Sequence, residues 1–125
     1  MKFYRCLHCH SLVAKLNEPG STPSCCGEMM QELIPNEGDG AFEKHVPEVK
    51  IEDNRVLVQV GSTLHPMTEA HYIEWIYLKT DKALHAKELH PNEEPKAAFL
   101  LEENEKPLEV YAYCNLHGLY LKKIA

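Results

Sequence analysis

No run of 18 apolar residues occurs anywhere in the chain. A helix that crosses a bilayer needs about that many, so no membrane span is expected. No charged-then-apolar leader precedes Cys6 either, so we expect no secretory signal and a cytoplasmic location. Basic clusters are equally scarce, the longest being Lys122-Lys123. With a net charge of −6 and nothing to offset phosphates, a nucleic-acid partner is disfavoured. The same field repels a small anionic substrate, which would need a local positive group. Internal repeats and low-complexity segments are absent. So is an even number of cysteines: there are five, and a reducing cytosol disfavours disulfides in any case. Four cysteines in one metal site and the fifth in another would use all of them.

The 125 residues, 44% of them apolar, suffice for one or two small globular domains. Cys6-Leu7-His8-Cys9 is a CxxC knuckle, and Cys25-Cys26 is a vicinal pair followed by Gly27, which suits a tight turn. Four thiolates so arranged read as one tetrahedral site. Ligands on adjacent residues strain the backbone and should distort the tetrahedron, which argues against a plain zinc ribbon. Residues 1–36 are too few to fold on a core alone, so the metal is their main source of stability. A purely structural zinc site is the plain alternative. His8 and His10 flank the knuckle and are expected to stay off the metal. His10 stands where such turns often carry glycine.

Pro35-Asn36-Glu37-Gly38-Asp39-Gly40 reads as a linker. Beyond it the pattern is all β. Val49 and Ile51 alternate with charged residues, Asp53-Asn54 is a turn, and Arg55 to Val60 is a strand. Further strands are expected over Tyr72 to Leu78, Ala83 to Leu89, Lys96 to Leu101, Leu108 to Tyr113 and Leu119 to Lys122. Strands at this spacing suggest a β-sandwich, with a barrel as the alternative. The domains are therefore expected at 1–36 and 37–125.

Cys114-Asn115-Leu116-His117 follows the last long strand. A thiol and an imidazole three residues apart can close on one ion of iron, copper or zinc. His45, His65 and His71 stand in loop-like positions, and His65 precedes Pro66, which favours extended backbone. Singly, each of these histidines reads as a surface residue. Jointly with Cys114 they suggest one site of four imidazoles and a thiolate carried on loops over a rigid scaffold. Met67 is a spare soft donor. His85 and His90 are left outside the site. Trp75 and Tyr77 are expected to fill the core or a dimer face. Glu43-Lys44 beside His45 reads on its own as a solvated charge pair.

The motifs Cys6-x-x-Cys9 with Cys25-Cys26, Glu43-Lys44-His45-Val46-Pro47, His65-Pro66-Met67, His71-Tyr72-Ile73-Glu74-Trp75 and Cys114-Asn115-Leu116-His117-Gly118 together resemble those of the desulfoferrodoxins, the two-domain superoxide reductases. The resemblance spans essentially the whole chain. It implies a desulforedoxin-like or rubredoxin-like domain whose iron is held by Cys6, Cys9, Cys25 and Cys26. It implies an immunoglobulin-like β-sandwich whose iron is held by equatorial His45, His65, His71 and His117 and by axial Cys114. It further implies reduction of superoxide to hydrogen peroxide, a rubredoxin-type electron donor and a homodimer. Lys44 would steer the anion, and Glu43 would ligate the oxidised resting iron.

Three other readings compete. A pure electron carrier would have no open position at the second metal. A sandwich-fold copper protein would use Cys114, two histidines and Met67. A zinc-stapled binding domain would be colourless.

Overall fold

The computed structural model describes residues 1–17, 20–36 and 45–124. The chain divides into two compact units, Met1–Ile34 and Pro35–Ala125. Every named element in both is a β-strand.

In the first unit, β1 (Lys2–Arg5) lies between β2 (Leu12–Lys15) and β5 (Gln31–Glu32), all antiparallel. The hairpin of β3 (Ser24–Cys25) and β4 (Glu28–Met29) turns at Cys26-Gly27. Among the described residues, Tyr4, Cys6 and Met30 form a small buried cluster with Cys25 packed against it, and Phe3 is buried as well. An apolar core this small stabilises little, so the sulfurs are part of what holds the unit together.

The second unit is a sandwich of seven strands. One sheet has the order β10 (Lys96–Leu100), β7 (Arg55–Val60), β6 (Pro47–Glu52). The other has the order β12 (Gly118–Lys123), β11 (Pro107–Cys114), β8 (Ile73–Thr80), β9 (Leu84–Glu88). The chain changes sheet between β7 and β8, between β9 and β10, and again between β10 and β11. These crossings, with a sheet of three and a sheet of four, are the pattern of an immunoglobulin-like sandwich. Alternation drives it. Val56, Val58 and Val60 of β7 are buried while Arg55, Leu57 and Gln59 are not. Their partners Phe99 and Ala97 on β10 face the same core. Opposite them lie Ile73, Ile76 and Leu78 of β8 and Val110, Ala112 and Cys114 of β11.

Trp75 and Tyr77 do not enter that core. They are half-buried on the other face of β8, with the Trp75 ring stacked on Tyr113 at 5.6 Å between centroids and 9° between planes. The register of β11 against β8 shifts between Tyr113 and Cys114. Such a bulge re-aims a side chain at a strand end, and here it lies at the strand's last residue, Cys114. Asn36 is bound into this unit rather than left as a free linker. Its N–H donates to the Leu119 carbonyl (2.9 Å) and its carbonyl accepts from the Leu121 N–H (3.0 Å). The rest of the expected linker, residues 37–40, lies outside the described residues.

Candidate metal centres

Local turns gather the four cysteines of the first unit. Cys6 directly follows β1, and the His10 N–H donates to the Cys6 carbonyl at 3.0 Å, closing the knuckle. His10 adopts φ 64°, so the left-handed turn usually served by glycine is kept by a histidine. Cys25 ends β3, and Cys26 takes φ 52° before Gly27 at φ 79°. The vicinal pair thus carries the backbone strain expected of it. The four sulfurs lie within 4.8 Å of one another, with Cys9 to Cys25 at 3.6 Å and Cys25 to Cys26 at 3.9 Å. Metal–sulfur bonds of about 2.3 Å in a tetrahedron put sulfurs about 3.8 Å apart, whereas a disulfide needs about 2.05 Å. The spacing is that of a metal site, and all four thiols are free. The Ser11 hydroxyl, 3.2 Å from Cys9 Sγ, helps lower the Cys9 thiol to about 6. Cys25 is raised to about 12, chiefly because its thiol bonds to the neighbouring Cys9 and Cys6 sulfurs. His8 pairs with Glu28 at 3.1 Å, and neither His8 nor His10 belongs to the sulfur cluster.

In the second unit, single donor atoms of His45, His65, His71 and Cys114 lie within 4.8 Å of one another. His117 borders this group. Its Nδ1 stands 3.0 Å from His45 Nε2 and 3.8 Å from Cys114 Sγ. The ring centroids run His45 to His65 at 4.6 Å, His65 to His71 at 4.6 Å, His71 to His117 at 5.1 Å and His117 to His45 at 4.8 Å. Each neighbouring pair meets at 72–88°, while the diagonal pair His45 and His71 is 6.2 Å apart and tilted by only 32°. Four rings in a near-square, each turned on edge to the next, would suit four imidazoles gathered around one ion. Two donors about 2.1 Å from an ion and at right angles are about 3.0 Å apart, as His45 and His117 are. Cys114, fully buried, adds its sulfur from the core side.

The local sequence explains this convergence. Cys114 pairs with Gly118 across the hairpin of β11 and β12. The three-residue loop therefore returns His117 beside Cys114, and Gly118 at φ 91° permits the return. His65 Nδ1 lies 2.7 Å from the Pro66 carbonyl oxygen. A carbonyl only accepts, so Nδ1 holds the proton and Nε2 is a bare base. His65 Nε2 and His71 Nε2 are buried and have no hydrogen-bond partner among the described residues. Leaving such atoms unsatisfied is costly, and a cation at the centre of the rings would satisfy both. Burial lowers His65 to about 4 and also lowers His71, which keeps both in the neutral form that binds metal. Burial raises the Cys114 thiol, against the N–H groups of Leu116 and His117. A bound metal reverses that shift by taking the thiolate.

Several neighbours carried no signal in the sequence. Tyr120 stacks on His45 at 4.7 Å and 20°. The Met67 sulfur accepts the Ile73 N–H at 3.3 Å, so it is a backbone partner and not a member of the donor group. With four imidazoles converging and Met67 so engaged, the copper reading loses its donor set. His85 pairs with Glu105 at 2.9 Å, and His90 with Glu88 and Glu93 at 3.0 Å each. Neither joins the site. Glu43 and Lys44 lie outside the described residues.

The family model described as Desulfoferrodoxin matches residues 37–123. The chain belongs to the desulfoferrodoxin family. A desulfoferrodoxin homolog of Archaeoglobus fulgidus is 41% identical over 96% of this chain and 94% of its own length. The crystal structure of the superoxide reductase from Treponema pallidum matches with a TM-score of 0.84 at 36% identity, covering 98% of this chain and 96% of that one. A one-iron superoxide reductase from Giardia intestinalis matches with a TM-score of 0.57 at 38% identity, covering 66% of this chain and 97% of its own. The two donor groups described above are those of the two-iron desulfoferrodoxins: four cysteines for one iron, and a histidine–cysteine group for the other. A set of imidazoles with one thiolate is chemically suited to iron and unsuited to calcium or magnesium. No helix among the described residues is long and apolar enough to cross a membrane.

Proposed function

We propose that the protein is a superoxide reductase. At the second site, one superoxide, one electron and two protons become one hydrogen peroxide. The observation that carries this reading is the near-square of His45, His65, His71 and His117 with Cys114 approaching from the core. The kinship with the Treponema pallidum superoxide reductase supports it.

Iron bound there would supply the electron. The protein's residues set the charge and the access. Four neutral imidazoles add no charge and one thiolate adds a single negative charge. The donors therefore leave a divalent cation net positive and attractive to an anion. Five donors are one fewer than an octahedral ion accepts, which marks a catalytic rather than a closed site. The Cys114 thiolate pushes electron density towards the metal, as a thiolate does in haem proteins. Lys44, next to His45 in sequence, is the local cation that offsets the net charge of −6. It steers the anion and orders the water that delivers a proton. Glu43 would be the residue that holds the ion in its oxidised resting state. The first unit holds its iron on Cys6, Cys9, Cys25 and Cys26, with residues 37–125 carrying the reaction. A rubredoxin-type donor, a homodimer and a cytoplasmic location complete the reading.

Pulse radiolysis with superoxide on the reduced, iron-quantified protein tests it. One peroxide formed per second-site iron in a bimolecular reaction is expected, and no reaction would overturn the proposal. Replacing Lys44→Ile should slow that reaction about tenfold and weaken its dependence on ionic strength. An unchanged rate constant would remove Lys44 from the mechanism.

A further inference from the structure

The hairpin loop between Cys114 and His117 holds a side chain that the donor set does not use. Asn115 Oδ1 accepts the Tyr72 N–H at 2.9 Å, and its Nδ2 donates to the Ala70 carbonyl at 3.1 Å. The Asn115 N–H donates to the Tyr72 carbonyl, also at 3.1 Å. Ala70 and Tyr72 are the two chain neighbours of His71, and Cys114 is the chain neighbour of Asn115. The His71 backbone is itself closed on Thr68, whose N–H donates to the His71 carbonyl at 2.9 Å and whose hydroxyl accepts the His71 N–H at 3.1 Å.

We propose that Asn115 is a positioning residue. It clasps the loop on both sides of His71 and so fixes that imidazole relative to Cys114 and His117. This rests on the reading of the second site as an iron site. The chemistry selects the residue type. A primary amide carries an acceptor and a donor on one short planar head, which matches the Tyr72 N–H and the Ala70 carbonyl at once. Aspartate keeps the acceptor and sets a carboxylate against the Ala70 carbonyl, while alanine keeps neither. Without the clasp the His71 loop is tied to the Cys114 hairpin only through backbone pairing, and the imidazole square is free to open at one corner. Partners that orient ligands in this way are typically worth about 10–100-fold in metal affinity.

The test is the rate at which the iron-loaded, full-length protein gives up ferrous iron to a strong chelator, read separately for the two centres. The thiolate-to-ferric charge-transfer band of the oxidised second site is recorded alongside. Asn115→Ala should release second-site iron about tenfold faster and shift that band, while the four-cysteine centre releases its iron at the wild-type rate. Asn115→Asp should fall between wild type and alanine, and it carries the test if the alanine variant does not fold. Wild-type release with an unshifted band in either variant would overturn the role. So would a lower melting temperature with the band in place, since that describes a clamp of the fold alone. A wild-type second site that takes up no iron would overturn the proposed function itself, and the two failures are distinct.

Discussion

A histidine closes the first metal knuckle in a backbone conformation that glycine enters freely. Left-handed backbone costs an L-residue roughly 1–2 kcal/mol, and glycine's extra freedom in the unfolded chain costs about 0.5–1 kcal/mol in return. The first term wins at His10, which sits at φ 64° with its imidazole exposed. His10→Gly should therefore stabilise the first unit by about 0.5–1 kcal/mol. The measurement is the denaturant midpoint at which the four-cysteine centre loses its colour, and a lower midpoint than wild type would contradict the balance. At this scale the cysteines and histidines that the structure gathers into two donor groups were legible, because their spacing is chemical. The residues around them were not. Asn115 acts on Ala70 and Tyr72, 45 and 43 positions away, and no local pattern ties an asparagine to backbone so remote. Tyr120, stacked on His45 from 75 positions away, escaped for the same reason.

Strands were more legible than sites, because alternation is a local property. Arg55–Val60 was expected from its β-branched run and is β7 to the residue. The end of the aromatic strand was less so. The strand expected to stop at Leu78 runs on through Thr80 as β8, and the Thr80 hydroxyl donates to the buried Glu105 carboxylate. Glu105 also accepts from the His85 ring (2.9 Å) and from the Glu102 N–H (2.9 Å). This network joins β8, β9 and the loop before β11, and it gives His85 a place that an ordinary polar strand did not suggest. These bonds, that from Thr80 foremost, hold the Glu105 carboxyl at about 2, down from 4.5. The folded state thus prefers the ionised form more than the unfolded state does. Stability from this group is complete above about pH 4.5 and lost as pH falls towards about 2. Glu105→Gln, which cannot titrate, should lower stability near neutrality and flatten the acid limb across that window. Urea midpoints of the two proteins at several pH values between about 5 and 2.5 give the comparison, and parallel curves would count against the network.

As a whole, the molecule joins two units of unlike construction. Among its described residues the first has few buried apolar side chains, Phe3, Tyr4 and Met30, beside the four sulfurs. The second has an interior drawn from both sheets that owes nothing to metal apart from Cys114. Stripping the ions with a chelator should therefore unfold the first unit and leave the sandwich with its β-sheet signal. Replacing Cys26→Ser should damage the first centre and spare single-turnover superoxide reduction, since the Giardia intestinalis protein matches 66% of this chain and is a one-iron enzyme. Loss of that single turnover would refute independent centres. The division into two parts was legible from the switch between a cysteine-rich stretch and regular alternation. Asn36, next to the expected boundary, bridges to Tyr120 of β12.

The burial of Cys114 bears on durability. Hydrogen peroxide attacks thiolates, carrying an exposed sulfur to sulfenic acid and beyond. An enzyme that makes this oxidant beside a cysteine risks poisoning itself at every turnover. Cys114 has no solvent-exposed surface, and its sulfur faces the apolar interior, which shields it from peroxide in solution. Cys9 and Cys26 stand exposed in the first unit. Their sulfurs, unlike that of Cys114, are open to oxidation by peroxide in solution.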